Sequence, residues 1–202
     1  MYTTLIEPEV VRGHLDDGAW RIFDCRCDLV DPHAGYAQWC TGHIPGAVHA
    51  DLERRLSGPI TGTTGRHPLP DPAALADWLG SQGVGEATQV VCYDAAGGGF
   101  AARMWWLIRW LGHQAVAVLD GGLDRWAAEG HPLDTDMPSP EPAAFPRRTP
   151  RRDMVAEADE LPGRSAAIPR VVDARAPERY RGEVEPIDPV AGHVPGADRK
   201  SV

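Results

Sequence analysis

The chain has 202 residues, enough for one well-buried core and for one or two domains. Its formal net charge of -9 argues against a nucleic-acid surface, which is built from clustered Lys and Arg. Four cysteines do not make a disulfide scaffold and suit a reducing, cytoplasmic compartment. The amino terminus, MYTTLIEPEV, lacks a basic start followed by an apolar core, so neither a signal peptide nor a membrane span is expected.

In chain order, short apolar runs that read as buried parallel strands alternate with helical patterns. The strands are expected at 21–24, 47–50, 89–93 and 115–119. Asp71 followed by Pro72 is an N-cap and first-turn pair for a helix over 72–79: the Asp side chain accepts orphan amide protons, and Pro loses nothing there. A second helix, 100–111, is apolar nearly all round despite Arg103 and Arg109, and Gly112 ends it. A third, 123–129, is closed by Gly130. Alternating β and α elements predict an α/β domain with a parallel sheet covered by helices on both faces.

In such a sheet the working site lies beyond the carboxyl ends of the strands. The strand Val90-Val91-Cys92-Tyr93 runs into Asp94-Ala95-Ala96-Gly97-Gly98-Gly99 and then a helix. Glycines let successive N–H groups converge and the helix dipole adds positive potential, so this loop reads as an anion cradle. It lacks the Gly-Lys-Ser/Thr ending of a phosphate loop. Cys25, Cys27, Cys40 and His43 invite a metal reading, but Cys-x-Cys is tighter than structural zinc spacing, and free thiols are expected. Cys92, on the strand, is expected to be buried. Six of the seven tryptophans, those at 39, 78, 105, 106, 110 and 126, read as helix-face core or domain contacts.

Beyond residue 135 the composition changes. Arg147, Arg148, Arg151 and Arg152 sit among five prolines, a pattern that reads as a solvated linker. Then the chain repeats itself. Gly42-His43-Ile44-Pro45-Gly46-Ala47 returns as Gly192-His193-Val194-Pro195-Gly196-Ala197. Each copy follows an apolar run ending in Asp-x-Arg: Asp24 to Arg26, with His43 19 residues after Asp24, and Asp173 to Arg175, with His193 20 residues after Asp173. The offset of about 150 residues implies tandem domains rather than a solenoid, whose periods are about 20–50. Only Asp198 to Val202 follow the second motif. The expected layout is therefore one complete domain over 1–135, a Pro/Arg-rich linker over 136–165 and the start of a second domain over 166–202.

These residues resemble the rhodanese family of sulfurtransferases, specifically its two-domain members. The carriers are Asp24-x-Arg26, the Gly42–Ala47 motif, the run from Val90 to Arg109 with Trp105-Trp106, Gly112-His113, and Leu119-Asp120-Gly121-Gly122 with Trp126. The resemblance implies a rhodanese-like parallel sheet flanked by helices. It also implies a cysteine, at the start of the carboxy-terminal domain's loop, that takes sulfur from thiosulfate or 3-mercaptopyruvate as a persulfide. The persulfide then passes its sulfur to a thiophilic acceptor. A ring of N–H groups suits that chemistry by favouring the thiolate. The position resembling that cysteine holds Asp94, as in the catalytically silent amino-terminal loops of two-domain members, and Arg103 is expected to pair with it. Arg179 matches the arginine with which the family binds its small anionic donor. Neither cofactor nor metal, and neither nucleic acid nor membrane, is expected as a partner. Two functions follow: a sulfurtransferase chain that lacks its catalytic loop and is inactive alone, or a non-catalytic rhodanese-like binding module.

Overall fold

A computed structural model of the chain describes residues 1–161 and 171–199. These fall into two compact units, 1–151 and 152–202.

The first unit is a five-stranded parallel sheet in the order β1-β5-β4-β2-β3. Its strands are β1 (Leu5–Ile6), β2 (Trp20–Asp24), β3 (Val48–His49), β4 (Gln89–Tyr93) and β5 (Val116–Leu119). The helices are α1 (Pro8–Arg12), α2 (Ala34–Thr41), α3 (Pro72–Ser81), α4 (Gly99–Trp110) and α5 (Gly122–Ala128). The parallel, helix-flanked sheet agrees with the sequence reading, which did not foresee β1, α1 or α2. β1 and α1, of two and five residues, are too short to generate a period, and the eight residues of α2 bury only Gly35 and Trp39 and so carry no apolar stripe.

Asp71 caps α3 as expected, its side chain accepting from Ala74 N–H at 2.8 Å. Pleating sends alternate strand residues to opposite faces. One face carries Ile22, Val91, Tyr93, Ala117 and Leu119 against Val11 of α1 and Leu123 and Trp126 of α5. The other carries Phe23, Cys92 and the Cys25 that follows β2. Phe23 meets Trp78 of α3 at a ring separation of 5.5 Å, and Cys25 meets Met104 of α4 at 3.6 Å.

The Pro/Arg-rich stretch differs from the expected solvated linker. The first unit extends to Arg151 because this stretch lies along α3 and the end of α4. Ala143 N–H donates to Gly80 O at 2.8 Å, Phe145 is buried beside His113, and Arg151 N–H donates to Trp110 O at 2.9 Å. Arg147 pairs with Asp77, and Arg148 with Glu86. Prolines fix an extended path, and one buried aromatic together with backbone bonds holds it down.

The second unit has β6 (Val172–Asp173) paired in parallel with β7 (Asp198–Arg199), and a short α6 (Pro177–Tyr180) between them. The expected start of the second domain, residue 166, lies outside the described residues. Taken separately, the two units make the same contacts around their repeated motifs. Arg26 grips Asp24 and donates to Gly42 O; Arg175 grips Asp173 and donates to Gly192 O. His43 stacks on Trp39 at 4.6 Å, with Nδ1 against Trp39 O. His193 stacks on Tyr180 at 3.9 Å, with Nδ1 against Tyr180 O. Trp39 Nε1–H reaches Ala47 O, and the Tyr180 hydroxyl reaches Ala197 O, both at 2.8 Å.

Candidate functional site

At the carboxyl end of β4 the chain turns through Asp94–Gly98 into α4. Gly97 and Gly98 have φ of 76° and 89°, a region open to glycine at little cost. Their turn directs the loop's N–H groups inward. The Asp94 carboxylate sits at the focus and is 1% exposed. Oδ1 accepts from Ala96 and Gly98 N–H at 2.9 and 2.8 Å. Oδ2 accepts from Phe100 and Ala101 N–H, both at 2.9 Å. Four donors thus converge on one carboxylate at the N-terminus of a 12-residue helix. The backbone of Asp94 is fixed too: its carbonyl accepts from Leu123 N–H at 2.9 Å. Gly122 must stay a glycine here, because a Cβ would stand 2.4 Å from Asp94 O.

The expected Arg103–Asp94 pair is not formed. Asp94 already has two donors on each oxygen. Arg103 turns instead to the loop before α3, donating to Leu56 O at 3.0 and 2.7 Å, His67 O at 3.1 Å and Pro68 O at 3.2 Å. Burial lowers its proton affinity from the usual arginine value. Arg103 therefore shapes the loop over 56–68.

A second polar cluster lies beside the cradle and was not foreseen as a unit. Tyr93 is fully buried; its hydroxyl donates to Asp24 Oδ2 at 2.7 Å and accepts from Ile44 N–H at 3.2 Å. Burial, and then the charge of Asp24, push the phenol well above its ordinary value, so it stays a donor. The Asp-x-Arg strand end, the Gly-His motif and β4 are thereby joined through one hydroxyl. The available signal was a tyrosine directly before Asp94 on an otherwise aliphatic strand.

The thiols lie elsewhere. Cys92 and Cys25 are buried, as expected for Cys92. Burial, reinforced by the Cys92 neighbour, pushes Cys25 well above the usual thiol value. Cys27 is half-buried and raised to about 12, first by burial and then by Asp94 and Asp28. Cys40 is exposed on α2. Among the described residues no group of three or more His, Cys, Asp or Glu is placed to hold a metal ion, and no helix is long and apolar enough to cross a membrane. A cleft of about 380 Å³ opens beside the cradle, lined by Leu5, Gly98, Val118, Asp120 and Gly121 among others.

In the second unit Arg179 is on α6. Its Nη2 donates to Glu185 Oε1 at 2.6 Å and Asp188 Oδ2 at 2.9 Å, and its Nε to Glu185 Oε2 at 3.2 Å. The guanidinium is thus charge-paired within its own unit. Arg179 draws Glu185 down to about 2.

A parallel α/β sheet whose central strand opens through a ring of backbone donors into a helix defines a domain built to hold an anion at a strand end. The comparisons with known proteins give that class its family. The rhodanese-like domain pattern matches residues 7–129, and the chain belongs to the rhodanese family. It is 46% identical over 201 residues to a Pseudomonas aeruginosa protein named "Probable 3-mercaptopyruvate sulfurtransferase", covering 96% of this chain and 69% of that protein. It is 38% identical over 160 residues to human 3-mercaptopyruvate sulfurtransferase, covering 76% of this chain and 52% of the relative. Bovine thiosulfate sulfurtransferase is 36% identical, with 53% of its length covered. The chain thus spans about half the length of these two mammalian relatives. Among solved structures, 3-mercaptopyruvate sulfurtransferase from Leishmania major superposes with a TM-score of 0.85 at 32% identity, covering 98% of this chain and 54% of that one.

Proposed function

We propose that the chain serves sulfur transfer from a small anionic donor, thiosulfate or 3-mercaptopyruvate, with residues 1–135 as the non-catalytic rhodanese-like domain. In this reading Asp94 stands where a persulfide-forming cysteine would stand. The carrying observation is the four N–H bonds to its carboxylate. A permanent side-chain anion fills the ring that would otherwise favour a thiolate and then a persulfide. None of Cys25, Cys27, Cys40 and Cys92 occupies such a ring, so this chain by itself performs no turnover.

In the same proposal the residues from 166 on form the opening part of a second rhodanese-like domain. The matched contacts of Arg26 and Arg175, and of His43 and His193, support it. Arg179 there receives the donor's negative charge, its planar fork matching an oxyanion. The name of the Pseudomonas aeruginosa relative favours mercaptopyruvate as the donor, and that of the bovine relative thiosulfate.

The test is sulfur transfer from each donor to cyanide, with the purified chain against buffer. No product above buffer is the expected outcome. Turnover that disappears in Cys92→Ser would reject the reading and make Cys92 the sulfur carrier.

A further inference from the structure

Sulfur-bearing side chains from three elements meet in the core of the first unit. Cys25 directly follows β2, and Met104 is a buried residue of α4; Cys25 Sγ stands 3.6 Å from Met104 Sδ across 79 positions of sequence. Cys92 is on β4 beside them. In the parallel register Phe23 stands opposite Cys92, and Cys25 N–H donates to Tyr93 O at 2.8 Å, so Cys25 and Cys92 are diagonal neighbours on one face of the sheet. The Cys92 thiol is a hydrogen-bonding neighbour of the Cys25 thiol. All three residues are shut away from water, with Cys25 1% exposed and Cys92 and Met104 fully buried.

Thiolate and thioether sulfurs are soft donors, and a ligand set made only of them selects Cu(I) over harder divalent ions. Zn(II) prefers four ligands drawn from Cys, His and carboxylates, and among the described residues no such group of three or more is placed to hold a metal ion. Methionine supplies the third ligand here. With metal–sulfur bonds of about 2.3 Å, the 3.6 Å between Cys25 Sγ and Met104 Sδ corresponds to an S–metal–S angle of about 100°. These two sulfurs therefore stand at bridging distance for one ion without moving apart.

We propose that Cys25, Cys92 and Met104 form a three-sulfur site for a single Cu(I) ion between the sheet and α4. On binding, each thiol gives up its proton to the buffer, two thiolate–copper bonds and one thioether–copper bond form, and the copper stays Cu(I). The ion cancels one of the two thiolate charges, and the other is spread over polarizable sulfur. Because the ligands are buried, the ion enters only when α4 opens from the sheet, which makes loading and release slow. The site is separate from the Asp94 cradle and does not depend on the sulfur-transfer reading.

The experiment loads the full chain anaerobically with Cu(I) carried by glutathione, removes the excess by gel filtration, and measures copper per chain together with copper X-ray absorption. One Cu(I) per chain with sulfur as its only ligand type is the expected result. Cys27 is half-buried and Cys40 exposed; the double variant Cys27→Ser, Cys40→Ser removes these outer thiols and should still hold one copper. Cys25→Ala and Cys92→Ala should each weaken Cu(I) binding, read by competition with a chromogenic Cu(I) chelator, by more than roughly a hundredfold, beyond the range of changes outside the ligand set. Met104→Leu, which nearly conserves side-chain volume, should weaken it about tenfold, as loss of a neutral thioether ligand. Loss of copper from the double variant would place the ion on the outer thiols and overturn the site. So would unchanged affinity in folded Cys25→Ala or Cys92→Ala, nitrogen or oxygen ligands in the absorption spectrum, or no copper retained by the parent. Should the alanine variants fail to fold, Met104→Leu decides: unchanged affinity there reduces the three sulfurs to core packing.

Discussion

The Tyr93 hydroxyl donates to Asp24 Oδ2 at 2.7 Å and accepts from Ile44 N–H at 3.2 Å, so one buried phenol joins two sequence motifs to the strand that carries the cradle. Asp24 is fully buried and shares its carboxylate between Tyr93 and Arg26. Tyr93→Phe would leave Ile44 N–H without its acceptor and Asp24 with one donor fewer. The expected cost is about 1–3 kcal/mol of unfolding free energy, read from urea unfolding. An unchanged midpoint would show that the hydroxyl does not couple the motifs.

The cradle should welcome a thiolate as it does a carboxylate. In Asp94→Cys the four N–H groups and the N-terminus of α4 should depress the thiol's pKa below the ordinary value of about 8.5. Alkylation followed by mass spectrometry across a pH series should label residue 94 faster than any native cysteine near neutrality, and thiosulfate should leave detectable persulfide there. Labelling no faster than at Cys92, with an ordinary thiol titration, would mean that the ring does not favour a thiolate.

Among the native thiols, exposure and charge predict a definite order. Cys40 is exposed, whereas Cys27 is half-buried and raised to about 12 by burial and nearby carboxylates. At pH 8 a group titrating near 12 is thiolate in roughly one molecule in ten thousand, and the thiolate is the reactive form. Iodoacetamide should therefore modify Cys40 first and Cys27 far more slowly, with the Cys27 rate still rising with pH beyond 10. A plateau for Cys27 near pH 9 would contradict the shift.

The Pro/Arg-rich strap depends on a close approach at Gly80, where an added Cβ would stand 2.7 Å from Ala143 O. Gly80→Ala improves helix propensity by about 1 kcal/mol, yet it should lift the strap and expose Phe145. Trypsin should spare Arg147 and Arg148 in the parent and cleave there in the variant. Equal cleavage in both proteins would show that the strap is not held through Gly80.

Among the described residues of the second unit, two carboxylates are drawn down furthest: Asp173 moves from 3.8 to about 2 because of Arg175, and Glu185 from 4.5 to about 2 because of Arg179. A carboxylate whose folded value lies below its unfolded value contributes stability that is fully present above the unfolded value. That stability is lost as pH falls through the folded one. The Arg179 Nε–H resonance should therefore hold steady down to about pH 4.5 and move only on approach to pH 2. A transition centred at the ordinary carboxylate values would show the pairs to be open in solution.

The repeated Gly-His-aliphatic-Pro-Gly-Ala motif, the strand-glycine-helix run after Val90 and the Asp71 cap were legible because each is a local pattern. Turn glycines, caps and strand alternation act over a few residues, so the parallel α/β architecture and the place of Asp94 at the head of α4 follow from sequence alone. Which groups satisfy one another is a different matter. Arg103 is one turn into α4 and opposite in charge to Asp94, so sequence distance favoured their pairing, but four backbone donors had already filled the carboxylate and left Arg103 to the carbonyls of residues 56, 67 and 68. The prolines and arginines after residue 137 have a linker's composition, and only the glycine at position 80 of a distant helix leaves room for the backbone to pack there. Asp24, Tyr93 and Ile44 are separated by tens of residues, and β2 and β4 meet in register only once the sheet forms. Local geometry was written in the chain; the partners of its buried polar groups were decided by tertiary structure, because a donor or acceptor shut away from water takes whichever group the packed fold brings within reach.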